Sequence, residues 1–426
     1  MSNSATKRKT TLTPKQILLI FLMGFGYTVV FTPPFIQFVI YDPLLEGLQC
    51  TNAQLGTLAM IYGVGNLISP FGGALSDRFN TKAVYLVGMI GMCVLDVVFA
   101  VTMSYNSALF IWAGYAIFAL FLVYPAHTKL TRLIGSENQQ GTIFGFTESF
   151  CGITNVIVNS IVLFVFAKFA TDTYGVLGLK AAITCYAILG LLCAVLIFLI
   201  VPKPTIESEQ KAEGEKITVK DWISIMTSPR TWFAGIAGFC VYCLFCALSY
   251  FTPYFSNVLG VSVVFTGGLS IVRQYGARFV GAPIGGWLGD KLRSLSGVVG
   301  IALGCAGAIV FLFMVLPSGT NATLLMVLTL LVAIFTFIAR GPMFAIPAEL
   351  EIPRRLAGST SGLVCAIGFC PDLFIFTLFG NWLDKYGDGG YEKIFIYTVV
   401  VMAIGVINTI ATLIYKKKHG IGAQKA

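Results

Sequence analysis

About twelve apolar runs, each close to twenty residues and parted by short polar turns, leave this chain almost no choice of backbone. In hydrocarbon no water satisfies an exposed N–H or C=O, so runs of that length cross as helices. They lie near 16–40, 54–76, 82–104, 107–128, 141–166, 178–201, 231–255, 262–288, 296–316, 321–346, 357–382 and 392–415. Apolar residues make up 57% of the chain and charged residues 11%, whereas a soluble domain carries about a quarter charged. The expected fold is all-α and polytopic. The first run is too long for the apolar core of a signal peptide.

A repeat divides these runs into two sets. Pro70, Gly72, Gly73, Leu75, Asp77 and Arg78 return as Pro283, Gly285, Gly286, Leu288, Asp290 and Lys291, 213 residues later in a chain of 426. Each copy closes an even-numbered run and opens a polar turn. Two pseudo-symmetric six-helix bundles are therefore expected, at 1–202 and 230–426, joined by a charged cytoplasmic linker at 203–229 whose end, 217–226, suits a short surface helix. Two matched membrane-embedded halves are the build of a secondary transporter, in which one half rocks against the other around a central site.

The net charge of +9 is a topology signal, not a nucleic-acid signal. With both termini in the cytoplasm, the outer side receives only Lys168, Lys180, Lys385 and Lys393. Arg273, Arg278 and Arg340 lie at membrane depth, and the other 21 of the 28 Lys and Arg collect on the inner side. Two histidines and no spaced His/Cys cluster leave no metal site or cofactor to expect, and no nucleophile with its base, so an enzyme is disfavoured. Cys240, Cys243 and Cys246 read as small packing residues in an apolar run, without a fourth ligand.

In the repeated turn, the glycines allow close helix packing, the aspartate can accept from amides at a helix start, and the cations can bridge to a neighbouring helix end. Gly73, Asp77, Arg78 and Lys82, with Gly286, Asp290 and Lys291 in the second copy, thus form a candidate conformational latch. Here the chain resembles the major facilitator superfamily, whose loop signature between the second and third helices is followed by Gly73-x-Leu75-x-Asp77-Arg78-x-Asn80-x-Lys82. Asn80 stands where the family usually has glycine, and since Asn tolerates a left-handed backbone the turn is expected to survive. Pro125, Gly141 and Gly145 echo in Pro342, Gly358 and Gly362. The stretches Glu137 to Glu148 and Gly368 to Phe374 look like those of bacterial inner-membrane porters of the YihN and YqcE type. The resemblance implies a multi-pass protein of the plasma membrane, a bacterial inner membrane, with spans one, four, seven and ten lining the path.

Six ionisable residues fall well inside apolar runs: Asp96, Glu148, Arg273, Arg278, Arg340 and Asp372. Each costs about 2.5–3.5 kcal/mol at a helix centre, so they should face the bundle interior, as functional groups or as structural pairs. Thr266, Ser270, Gln274 and Arg278 recur at steps of four on span eight. In the superfamily's anion porters this helix bears a binding arginine at a position that is Ala282 here, one turn from Arg278. Arg273 lies about 140° round a straight helix from Arg278 and should not clamp the same ligand. Arg340 precedes Gly341-Pro342 on span ten, with Glu148 or Glu349 as an alternative partner. Glu148, Gly152, Asn155 and Asn159 form a stripe on span five, mirrored by Ser361, Cys365, Gly368 and Asp372 on span eleven. Glu148 and Asp372 are the candidate proton carriers. Asp96 reads as hydrogen-bonded structure and His127 as interfacial. Tyr27 and Gln37 on span one, Tyr124 on span four, and Tyr250 and Tyr254 on span seven complete the candidate substrate contacts with Arg278, Arg340, Gln274 and Arg273.

The expectation is a monomeric, proton-coupled symporter of a small organic anion or sugar acid. The alternatives are a drug or metabolite exporter, a neutral-sugar porter, or a ligand sensor that moves nothing.

Overall fold

The computed structural model describes residues 12–135, 140–171, 175–202, 219–317, 319–352 and 357–421. Among these there is no strand. Ten helices are long and apolar enough to cross a membrane. They are α1 (Pro14–Phe31), α3 (Thr81–Thr102), α4 (Tyr105–Arg132), α5 (its crossing part Phe146–Phe169), α6 (Val176–Ile200), α7 (Pro229–Val258), α9 (Leu295–Val315), α10 (Ala322–Met343), α11 (Gly362–Tyr386) and α12 (Gly389–Lys418). Two further long helices, richer in glycine and polar residues, fill the gaps: α2 (Asn52–Arg78) and α8, whose parts Val263–Ile271 and Ala277–Leu292 are joined by a π turn at Val272–Gly276. The protein is an all-α, multi-pass membrane protein. Among the described residues there are twelve long helices, an even number, so the start of α1 and the end of α12 lie toward one face, called here the terminal face.

Local chemistry sets the ends of these helices. Thr13 caps α1 in a reciprocal box with Gln16, and Pro14 takes the first helical position, where its missing N–H costs nothing. The α-helix stops at Phe31, short of the expected 40. Pro33 and Pro34 cannot continue the ladder, and a 3-10 turn, Pro33–Phe38, follows. Asn80 does not adopt a left-handed backbone. Its φ is −57°, and its side chain caps α3 by accepting from the Ala83 amide at 3.1 Å. The turn thus survives without glycine because Asn is a good N-cap. The surface helix expected at 217–226 runs Val219–Thr227.

Buried apolar side chains fall into two cores, one drawn almost wholly from residues 19–201 and one from 234–402. The repeat has a packing reason. A Cβ on Gly72 would collide with the carbonyl of Phe121 on α4, and one on Gly285 with the carbonyl of Ile338 on α10. These are equivalent contacts in the two halves. Gly286, expected to pack closely as well, faces open space.

Candidate functional site

The face opposite the termini is closed by contacts between halves. Asp384, at the end of α11, accepts from the Asn52 and Ala53 amides at the start of α2 at 2.9 and 2.8 Å. Asp42 accepts from Ser256 at 2.6 Å and from Asn257 at 3.2 Å. Both carboxylates reach into the other half. Burial pushes the Asp42 carboxyl above its ordinary range, although both bonds work against it. Beneath them Phe38 packs on Phe376, with ring centroids 5.9 Å apart, and Tyr250 donates to the Phe376 carbonyl at 3.1 Å. Gly56 and Gly380 let the helices touch, since a Cβ on either would strike the backbone of the facing helix.

Toward the terminal face the halves part. Glu148 on α5 is ion-paired to Arg278 on α8, across the divide, yet its side chain is 60% exposed. Tyr124 is 42% exposed although Tyr27, Cys365 and Arg340 stand within electrostatic reach. A group with neighbours in both halves that is nonetheless exposed lines a cleft between them. Arg340 is close enough to repel Arg278, and Tyr27 feels both cations.

Arg340 has neither expected partner. Glu148 is taken by Arg278, and Glu349 is taken by Lys416 at 2.5 Å and by Ser296. The guanidinium lies instead over the rings of Phe245 and Tyr242, 4.3 and 5.5 Å from their centroids. Its Nη1 is buried without a hydrogen-bond partner. Asp372 is buried, within electrostatic reach of Arg340, with the Tyr242 hydroxyl 3.0 and 2.9 Å from its two oxygens and Asn66 at 3.5 Å. The Tyr62 hydroxyl, also buried and unpartnered, lies within reach of Tyr27 and Asp372.

The expected symmetry of Glu148 and Asp372 does not hold. Pro371 breaks α11 into a 3-10 turn, Cys370–Leu373, which swings Asp372 off the straight stripe and onto α2 and α7. Asn155 and Asn159, on the unbroken α5, are used for packing: Asn155 bonds Thr28 at 3.0 Å and Asn159 accepts from Tyr186 at 2.5 Å, tying α5 to α1 and α6. The other expected contacts sit elsewhere. Gln37 and Tyr250 are buried in the closed end, and Tyr254 packs among Phe255, Phe313, Tyr391 and Phe395. Arg273 and Gln274 are fully buried. His127 is buried as well, 3.5 Å from the Tyr85 hydroxyl. Asp96 accepts from Tyr115 at 2.6 Å. Lys82 donates to the Phe198 and Val201 carbonyls at the end of α6, within its own half. Lys291 lies over the Trp287 ring, 4.8 Å from its centroid. The side chains of Asp77, Arg78 and Asp290, and the position of Gly73 in the packing, lie outside the described residues.

Sequence reasoning missed Tyr242, Tyr62 and Asn66. Tyr62 and Asn66 are one turn apart on α2, a local polar pairing in the sequence; Tyr242 carries no such signal, and only its contact with Asp372 marks it.

The sequence profile of the Major Facilitator Superfamily matches residues 16–370. The chain is 28% identical over 395 residues to the inner membrane protein YihN of Escherichia coli (strain K12), covering 90% of this chain and 92% of that one. It is 24% identical over 404 residues to the inner membrane protein YqcE of the same organism, covering 93% and 94%. Its fold superposes on a bacterial homologue of the human lysosomal transporter Spinster with a TM-score of 0.74 at 15% identity, covering 94% of this chain and 97% of that one. Two halves around a cleft, the repeated turn and a matching profile over most of the length together make this chain a member of the Major Facilitator Superfamily, a membrane transport protein.

Proposed function

We propose that this transporter is a proton-coupled symporter of a small organic anion, a sugar acid or related carboxylate, working by alternating access. One observation carries the reading. A carboxylate of the protein itself, Glu148, already stands on Arg278 at the mouth of the cleft, beside a second arginine, Arg340, with a free N–H. A substrate carboxylate has the same chemistry as Glu148 and competes for the same guanidinium. Once displaced, Glu148 faces a cleft dominated by its competitor's negative charge, which favours proton uptake. Anion and proton then load together. Asp372, held by Tyr242 near Arg340, supplies a second carboxylate for the proton. The excess of Lys and Arg supports a cytoplasmic terminal face, and the two cores support halves that rock at the linker. Both halves of the path come from one chain, in keeping with a monomeric carrier.

The test is thermal unfolding of purified protein with gluconate, glucuronate, succinate and, as neutral control, glucose. One of the acids should raise the unfolding midpoint by mass action. Arg278→Gln and Arg340→Gln should each abolish that rise. If both variants respond as the unaltered chain does, the anion reading fails and a neutral solute becomes the better one.

A further inference from the structure

Among the described residues Arg273 is a fully buried cation with two nitrogens that lack a hydrogen-bond partner. Its side chain is 0% exposed; it donates to the Thr252 hydroxyl at 2.6 Å and lies over the Phe251 ring, 5.7 Å from its centroid, while Nε and Nη1 have no hydrogen-bond partner. The next residue, Gln274, is 1% exposed, and neither atom of its amide is bonded. Among the described residues no carboxylate pairs with Arg273. A buried charge held for structure is normally paired and fully hydrogen-bonded, because an unpaired one costs several kcal/mol. An arginine left so is kept for a partner that this conformation lacks.

Its position says when that partner arrives. Thr252 and Ser270 both donate to the carbonyl of Phe38, in the 3-10 turn after α1, so Arg273 lies under the contact that seals the face opposite the termini. Phe38 belongs to the other half. When the halves part at that face, its carbonyl leaves, and Thr252, Ser270, Arg273 and Gln274 turn to water together. Arg278 is then drawn into the closing terminal side. Arg273 and Gln274 lie within the π turn Val272–Gly276, which Arg278 follows by two residues, and such turns recur at functional sites.

Building on the anion reading above, we infer that Arg273 and Gln274 form a second anion station, exposed only when the face opposite the termini opens, which receives the substrate before it passes to Arg278 and Arg340. Arg273 supplies a planar fork for a carboxylate, and the Gln274 amide both donates and accepts, matching an adjacent hydroxyl. The ligand class is a small hydroxylated carboxylate.

The experiment reads the charge of the station without needing the natural substrate. Gln274→Cys is placed in the full chain, alone and with Gly380→Trp, a wedge that cannot fit while α11 touches α2. Protein in nanodiscs is treated with a sulfonate-bearing or an ammonium-bearing methanethiosulfonate. Peptide mass spectrometry scores the new thiol separately from the native ones, and rates are normalised to those with a small free thiol. Without the wedge the new cysteine should stay unmodified. With it, the sulfonate reagent should lead the ammonium one by about twenty-five-fold, a factor of about five from attraction of the one and about five from repulsion of the other across a few ångströms of water. Arg273→Gln should erase that preference, Arg273→Lys should keep it, and Arg278→Gln should leave it unchanged. Sodium gluconate should slow the reaction where equal sodium chloride does not. A thiol that stays silent with the wedge in place, or a preference indifferent to Arg273→Gln, overturns the station. Equal slowing by chloride overturns its carboxylate assignment. Failure of the inner site would show separately, as unaltered acid binding in Arg278→Gln and Arg340→Gln.

Discussion

The carboxylate of Asp384 accepts from both nitrogens that Asn52 presents, the backbone amide at 2.9 Å and the side-chain amide at 2.7 Å. Asn52 begins α2 in one half and Asp384 ends α11 in the other, so a helix start in the first half is capped by an acid of the second. The positive end of the α2 dipole adds to the attraction. The clasp exists only while this face is closed, which makes it a bias on the conformational equilibrium.

Asp384→Asn should loosen that bias. Charge-assisted bonds contribute about 1.5–3 kcal/mol each, and losing even part of that shifts a two-state equilibrium roughly tenfold. Pulsed electron paramagnetic resonance between nitroxides on the outer ends of α2 and α11 should show a growing long-distance population. An unchanged distribution would remove the clasp from the mechanism.

Gly285→Leu should destabilise strongly, because the new side chain meets a backbone carbonyl of α10 that has nowhere to go. Overpacking of this kind costs about 1–3 kcal/mol. Gly286→Leu, next to it but facing open space, should leave the thermal unfolding midpoint nearly unmoved. Equal effects at the two positions would contradict the packing described.

Glu349 gives a pH dependence. Burial alone would raise its carboxyl, but bonds from Lys416 and Ser296 outweigh that and hold it below the usual range. A carboxylate depressed in the folded state stabilises above its unfolded pKa of about 4.3, and that stability is lost as pH falls through the folded value. Glu349→Gln should therefore lower stability by about 1–3 kcal/mol at neutral pH. The gap from the unaltered chain should narrow below about pH 4 in thermal unfolding. A gap independent of pH would mean that the charge contributes nothing.

Asp372→Asn should preserve counterflow of labelled against unlabelled ligand in proteoliposomes and lose accumulation driven by a pH gradient, since the amide mimics the protonated acid and cannot discharge. If the acid merely orients Arg340, binding should fall as well, because breaking a buried charge pair costs about 3–5 kcal/mol. Glu148→Gln should lose the competition for Arg278 and so bind the acid more tightly while accumulating less of it.

Much of this protein was legible in the chain alone. Hydrocarbon forces long apolar runs into helices, so the all-α, multi-pass fold and the family followed from hydropathy and the repeat around Gly72 and Gly285. The membrane-depth charges were legible as a set for the same reason, since each had to face inward. Their partners were not. Helix stripes assume an unbroken 3.6-residue turn, and Pro371 and the π turn at Val272–Gly276 break it at the residues that matter. Which acid meets which arginine depends on azimuth and on the distance between halves, and no local pattern encodes either. Tertiary packing put Glu148 on Arg278 across the divide, stood Arg340 over Phe245 within its own half with a free N–H, and sealed Arg273 beneath Phe38.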